Sequence, residues 1–327
     1  MVDNLIVVVG RKTSGFDPKS MCIIGETPYD CLERVVRETT IREMCMVDFK
    51  TVNANPVQEH ELLVVHSQEY IDFVKNARGW QSKNCGHVQS SDNYIYLDNL
   101  CFDASLQAAS NALFGAGLLL NNDTRHIYAL TRPPGHHAGK EETGGTCYFN
   151  NAALAAIKIR NENKKVAVLD IDRHAGNGTY DILLDRENVL FASIHVGNAY
   201  PWNPYYNASR NNCIAAPIDE NATPNKYIEV LERTLGRIAA YGPDMLIVSV
   251  GTDTSRHDIY DLEETGTFGL DVGDFHRIGM LISSLHKPTL SIQEGGYNIN
   301  YLAENVKSYL DGINIGGMYE QPDNKKL

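Results

Sequence analysis

The sequence predicts an α/β fold in which helices wrap a mostly parallel sheet. Short apolar runs rich in β-branched residues alternate with stretches of helical periodicity, the pattern of strand–helix–strand units. Almost every apolar run leads directly into a loop carrying Gly and reactive side chains. The 327 residues are 43% hydrophobic and 21% charged, which suffices for one large core. No internal repeat, low-complexity tract or Pro/Ser-rich linker interrupts them, so the chain reads as a single domain, residues 1–327.

The first apolar run, LIVVV at 5–9, is too short for a secretion signal and has no cleavage site. No stretch approaches membrane-spanning length, so a soluble, cytoplasmic protein without membrane contact is expected. Helical periodicity marks residues 105–120 (SLQAASNALFGAGLLL), 150–160, 226–241 and 274–285. Strand patterns mark 126–130 (HIYAL), 166–170 (VAVLD), 189–194 (VLFASI), 245–250 (MLIVSV) and 289–293 (TLSIQ). The apolar run of Val166 to Leu169 in particular suits a parallel sheet covered on both faces. Residues 196–224, rich in Asn, Tyr and Pro, show no clear element and read as a long loop. Residues 321–327 form a polar tail.

The 29 basic and 41 acidic residues leave a net charge of −12. That balance argues against a nucleic-acid partner and is compatible with a cationic substrate. Seven cysteines are scattered without a CxxC pair, so neither a disulfide framework nor a thiolate zinc site is implied, and a reducing compartment is expected.

The chemistry gathers after the strands. VAVLD runs into IDRHAGNGT, HIYAL into TRPPGHHAGKEETGG, MLIVSV into GTDTSRHD and TLSIQ into EGGYN. In a parallel α/β sheet these carboxyl ends share one edge, where ligands bind. Asp170, Asp172 and His174 alternate, so continued extension projects them to one face. Taken alone, that run could equally be a polar strand end capping the Gly-Asn-Gly turn. With Asp253, however, Asp172 and His174 can supply two carboxylates and an imidazole to a divalent ion, leaving positions open for water and substrate. A metal there would activate water and polarise a carbonyl. The adjacent His136 and His137 are candidates to move the proton, and Tyr297, on the Gly295-Gly296 hinge, to donate to a developing oxyanion. Together these describe metal-assisted amide or ester hydrolysis.

In order along residues 132–298, RPPGHHA…GGTCYFNNA, DIDRHAGNGT, SIH, GTD and EGGYN resemble the motifs of the zinc-dependent histone deacetylases and acetylpolyamine amidohydrolases. ELLVVHSQEYIDFV (61–74) resembles that family's early helix. The resemblance implies the arginase/deacetylase fold, a three-layer α/β/α domain around a parallel sheet of about eight strands. It implies one Zn²⁺ per chain on Asp172, His174 and Asp253, with His137 as general base and then acid. His136 would pair with Asp170, and Tyr297 would polarise the carbonyl. Gly145 would offer its backbone carbonyl to the scissile N–H. A structural K⁺ would sit on Asp170, Asp172, His174, Ser193 and Ile194, mostly through backbone oxygens. The implied substrate is an N-acyl, most simply N-acetyl, amide of a primary amine: an acetyl-lysine peptide, an acetylpolyamine or an acylated small metabolite. A homo-oligomer is compatible with all of this.

Departures from the family pattern are specific. Ala175 replaces a second histidine after His174, and Arg173 precedes that ligand. Asn177 stands where some branches carry the Asp that partners the general base; the GNGT form resembles the class II and amidohydrolase branches. Thr146 takes the place of an aromatic wall of the acyl-lysine tunnel, with Tyr200 as the opposite wall and Trp202 near it. Two rival readings compete with the hydrolase. An arginase-like ureohydrolase would want further carboxylates where Gly-Asn-Gly stands, and a non-enzymatic acyl-binding module would have lost a ligand, a histidine or Tyr297.

Overall fold

The computed structural model describes residues 5–11, 16–17, 20–24, 27–30, 32–82, 94–98, 100–258 and 268–316. In chain order the strands are β1 (Leu5–Val9), β2 (Ser20–Ile24), β3 (Thr27–Asp30), β4 (Lys50–Asn53), β5 (Gly79–Ser82), β6 (Tyr94–Leu97), β7 (His126–Ala129), β8 (Val166–Asp170), β9 (Val189–Val196), β10 (Cys213–Ile218), β11 (Met245–Val250) and β12 (Thr289–Gln293). The helices are α1 (Val35–Asp48), α2 (Gln68–Asn76), α3 (Cys101–Leu120), α4 (Asn151–Asn161), α5 (Asn177–Leu183), α6 (Pro224–Tyr241), α7 (Val272–Ser283) and α8 (Ile299–Gly316).

Eight strands form one sheet in the order β10-β9-β8-β11-β12-β7-β1-β4, and every pairing in it is parallel. The sequence pattern explains why. β1, β7, β8, β9, β11 and β12 are buried at every position, as strands covered by helices on both faces must be. One apolar cluster joins the sheet to α2, α3 and α4 through residues such as Ile71, Leu113, Ala116 and Leu154. The other joins it to α1, α6, α7 and α8 through Ile41, Leu231, Ile278 and Leu310. Helices, sheet and helices make the three expected layers. β2, β3, β5 and β6 form a separate antiparallel sheet.

Three local expectations change. The helix expected at 61–74 is broken into a 3₁₀ turn (Glu59–Val64) and α2. The break falls before Ser67, whose hydroxyl accepts the Tyr70 amide and so caps the new helix. The supposed loop at 196–224 contains the edge strand β10, paired in register with β9 from Cys213↔Phe191 to Ile218↔Val196. Its residues, CIAAPI, are apolar, but Pro217 within the run reads against a strand, and a proline is accommodated there because β10 lies at the sheet edge. The helices predicted from 226 and 274 start earlier, at Pro224 and Val272, capped by Thr223 and by the reciprocal Asp271/Asp274 box. Residues 321–327 lie outside the described residues.

Candidate active site

β8, β11, β12 and β7 are consecutive in the sheet, so their carboxyl-terminal loops meet at one edge. Single ligand atoms of Asp172, His174 and Asp253 all lie within 4.8 Å of one another. His174 Nδ1 is 3.2 Å from both Asp172 Oδ1 and Asp253 Oδ2. The carboxylates are held by main-chain donors: Gly295 N–H to Asp172 Oδ2 at 2.9 Å and Arg173 N–H to Asp253 Oδ1 at 3.1 Å. Glycine is required around them. A Cβ on Gly251 would lie 2.1 Å from Asp172 Oδ2, and one on Gly295 2.7 Å from Asp253 Oδ2. Burial and the neighbouring Asp172 charge push the Asp253 carboxyl up. Burial works against a charged His174, yet the two carboxylates raise it to about 9. Two buried carboxylates thus press on one imidazole, which is the situation a divalent cation relieves. The O, O, N donor set fits zinc.

His136 and His137 follow β7 and sit with ring centroids 3.9 Å apart. Their outer partners differ in charge. His136 Nδ1 meets Asp170 Oδ2 at 2.9 Å, whereas His137 Nδ1 meets the neutral Asn177 Oδ1 at 2.7 Å. Burial opposes charge on both rings. For His136 the charges of Asp172 and Asp170 outweigh burial and hold the pKa well above its usual value. For His137 burial, reinforced by positive His136 and His174, drives it well below. Two adjacent titratable groups whose surroundings drive them apart is the pattern of an assigned acid/base pair. Because Asn177 accepts at Nδ1, the Nε2 lone pair of His137 is left open.

Tyr297 follows β12, partly buried. Burial raises its pKa well above that of a free phenol, partly opposed by Arg37, so the hydroxyl keeps its proton. Gly145 packs on the base: with φ +46°, a Cβ there would fall 2.2 Å from the His137 ring. Thr146 adopts φ +69°, unfavourable for a β-branched residue, and its buried Oγ1 has no hydrogen-bond partner among the described residues. Tyr200 stands edge-on to His137 at 4.7 Å and to Trp202 at 5.1 Å. Trp202 is 41% exposed, a rim residue rather than an inner wall. Near Asp170, Ser193 Oγ lies 2.9 Å from His195 Nδ1, and His195 Nε2 lies 3.0 Å from Asn207 Oδ1. Asn207 spends its amide N–H₂ on Gly197 O, so Oδ1 accepts and His195 carries its proton on Nε2. Ser193 therefore donates to Nδ1 and keeps its own lone pairs. Ile194 is buried beside it.

Residues 29–313 match the histone deacetylase domain. The chain belongs to this family. It is 36% identical over 284 residues to an acetylpolyamine amidohydrolase of Burkholderia pseudomallei, covering 77% of this chain and 82% of that protein. Acetylpolyamine amidohydrolase 2 of Pseudomonas aeruginosa is 31% identical over 283 residues, 76% of this chain and 81% of the other. The crystal structure of the acetylpolyamine aminohydrolase from Burkholderia pseudomallei superposes with a TM-score of 0.83 at 25% identity, over 94% of this chain and 98% of that one. The chain is accordingly a hydrolase of the deacetylase fold. No described helix is long and apolar enough to cross a membrane.

Several residues of this deacetylase-family site had no role assigned from the sequence. Glu294 accepts from Gly135 N–H at 2.7 Å, His136 N–H at 3.2 Å and the Ser249 hydroxyl at 3.1 Å, fixing the turn that presents both histidines. Burial pushes its pKa up to about 7. Its place at the head of EGGY, directly after a strand, was the available hint. Arg37 on α1 reaches the carbonyls of Gly296 and Glu294 and bonds Glu33 at 2.8 Å, with its guanidinium 4.7 Å from the Tyr297 ring centroid. Glu33 and Arg37, four residues apart, look in sequence like a solvated helix pair, yet both are buried.

Proposed function

We propose that this protein is a zinc-dependent amidohydrolase that removes an acetyl group from an N-acetylated primary amine, with a small cationic amine such as an acetylpolyamine as substrate. The observation that carries the reading is the pair of histidines with opposite electrostatics beside the Asp172–His174–Asp253 cluster. Zn²⁺ held by those three residues would lower the pKa of water and polarise the amide carbonyl. His137, neutral and open at Nε2, takes the proton of the attacking water and returns it to the leaving amine. His136, kept charged by Asp170, contributes positive charge and orientation. Tyr297 donates to the oxygen on which negative charge develops, and the Gly145 carbonyl accepts from the scissile N–H. Tyr200 and Thr146 flank the acyl-amine stem, and Trp202 covers the entrance. A K⁺ on Asp170, Asp172, His174, Ser193 and Ile194 would brace the metal loop from below; the free lone pairs of Ser193 support it. The overall charge of −12 favours a cationic remainder on the substrate, as do the two amidohydrolases named above.

The test is a panel of acetylpolyamines, acetyl-lysine peptides and longer acyl amides assayed with zinc-loaded enzyme. Acetylpolyamines should give the highest kcat/KM. Preference for an acetyl-lysine peptide would overturn the substrate class but leave the hydrolase; no turnover of any amide would overturn the hydrolase.

A further inference from the structure

The loop after β11 does more than deliver Asp253. Its described part, residues 251–258, is joined to the loop after β12 at Thr252 and again at His257 and Asp258. Near its start, Thr252 N–H donates to Gly295 O at 3.1 Å. Further along, both oxygens of Asp258 lie 3.0 Å from Tyr297 N, and Oδ1 also accepts Asn298 N–H at 3.0 Å. Asn298 returns its side-chain amide to His257 O, and the His257 ring stacks on Tyr301 at 4.1 Å and 10°. The loop is itself braced, with Asp258 N–H on Ser255 O at 3.1 Å and Arg256 paired to Asp271 at 2.7 Å.

This arrangement constrains Tyr297 in a particular way. The residue follows Gly295 and Gly296, and Gly296 has φ +115°, a conformation open to glycine and little else. The chain entering Tyr297 is therefore intrinsically permissive, and a phenol at the end of a permissive hinge sweeps a wide arc. Two contacts remove that freedom. Arg37 lies over the ring face, and the Asp258 carboxylate holds the backbone amide at the point where the side chain departs. Charge-assisted bonds from main-chain N–H groups to a carboxylate are among the stronger ones available to a loop.

We infer that Asp258 is a positioning residue for the Tyr297 hydroxyl: by gripping the amides of Tyr297 and Asn298, it ties the oxyanion donor to the same loop that presents the ligand Asp253. Asp258 acts through Tyr297 and touches no reacting atom. This rests on the reading of Tyr297 as the carbonyl-polarising group. A displacement near 1 Å at a reacting centre costs about 10²-fold in rate, which sets the scale of the expected effect.

Asp258→Ala and Asp258→Asn are to be made in the parent enzyme and in Tyr297→Phe. For each, kcat and KM are measured on the best substrate of the panel, zinc by elemental analysis, and amide hydrogen exchange across residues 294–301. Asp258→Ala should lower kcat by about 10- to 100-fold with KM and zinc content kept. Asp258→Asn, which retains the Oδ1 acceptor for both amides, should recover part of that loss. In Tyr297→Phe neither change should lower kcat further, and exchange at 294–301 should accelerate in both Asp258 variants. An equal loss in the two backgrounds, loss of zinc, or unchanged kcat in Asp258→Ala would overturn the inference. Should the alanine variant fail to fold, the asparagine variant decides: a kcat loss confined to the Tyr297 background supports the inference, and unchanged kcat and exchange overturn it. Full activity of Tyr297→Phe would overturn the reading of Tyr297 and this inference with it, whereas its loss beside an unaffected Asp258→Ala overturns this inference alone.

Discussion

Lowering the pH should release the loop that carries Gly145, and the responsible group is His66. Its ring is buried (1% exposed) and takes part in two main-chain contacts: Nδ1 lies 3.2 Å from Lys140 O, and Nε2 accepts Asn150 N–H at 3.0 Å. Both contacts are satisfied by one neutral tautomer, which staples the 139–146 loop to the first turn of α4. Protonation at Nε2 would put a donor against a donor. Burial accordingly lowers the pKa from 6.5 to about 4. The folded pKa lies below the unfolded one, so the stabilisation is complete above pH 6.5 and is lost progressively as pH falls toward 4. At pH 5 the unfolded chain is almost wholly protonated at this site and the native state almost wholly not, a difference of about 2 kcal/mol. Guanidinium unfolding at pH 7.5 and 5.0 measures it: the parent should lose about 2 kcal/mol more than His66→Gln over this interval. His126, also lowered to about 4 by burial and without hydrogen-bond partners on either nitrogen among the described residues, serves as a second case through His126→Phe. If both variants lose stability as steeply as the parent, the neutral buried histidines are not the source of acid sensitivity.

Asp172→Ala, His174→Ala and Asp253→Ala should each lose stoichiometric zinc and activity together; elemental analysis finding a full ion in all three would remove the ligand assignment. His137→Ala should keep zinc and lose about 10²–10⁴ in turnover, with a smaller loss for His136→Ala, and unchanged turnover in His137→Ala would refute the base. Arg37→Ala leaves Glu33 paired with Arg132 at 3.1 Å but strips two buried carbonyls of their donor, so a loss of about 1–3 kcal/mol in unfolding free energy is expected; an unchanged stability would mean that other donors take over those carbonyls. Thr146→Phe should restore apolar contact worth about 1–3 kcal/mol to a lysine-like stem, raising kcat/KM for acetyl-lysine peptides relative to bulkier amides, and an unchanged ratio would show that Thr146 does not line the channel.

Much of this site was legible before any fold was known. Strands covered on both faces are rich in apolar residues, so VAVLD, MLIVSV and TLSIQ stood out as short apolar-rich runs, and the residues after them had to fall on one edge. Asp172, His174, Asp253, the two histidines and Tyr297 follow from that single rule, and their mutual approach is a consequence of strand order. β10 escaped because Pro217 sits inside its apolar run, as only an edge strand allows, and the roles of Asp258 and Glu294 escaped because a carboxylate that holds main-chain amides looks in sequence like any polar loop residue.

Local periodicity by itself determined which segments are buried, where they end and which side chains stand at their carboxyl ends, because burial on a strand or helix is written in the spacing of its own residues. Only the tertiary structure decided who those side chains meet. Glu294 on the amides of Gly135 and His136, Arg37 across 257 to 259 residues of chain onto Glu294 and Gly296, and Asp258 on the amides of Tyr297 and Asn298 are all pairings between distant segments. Their charges look solvent-facing in the sequence and become paired and directional through the order in which the strands were laid side by side.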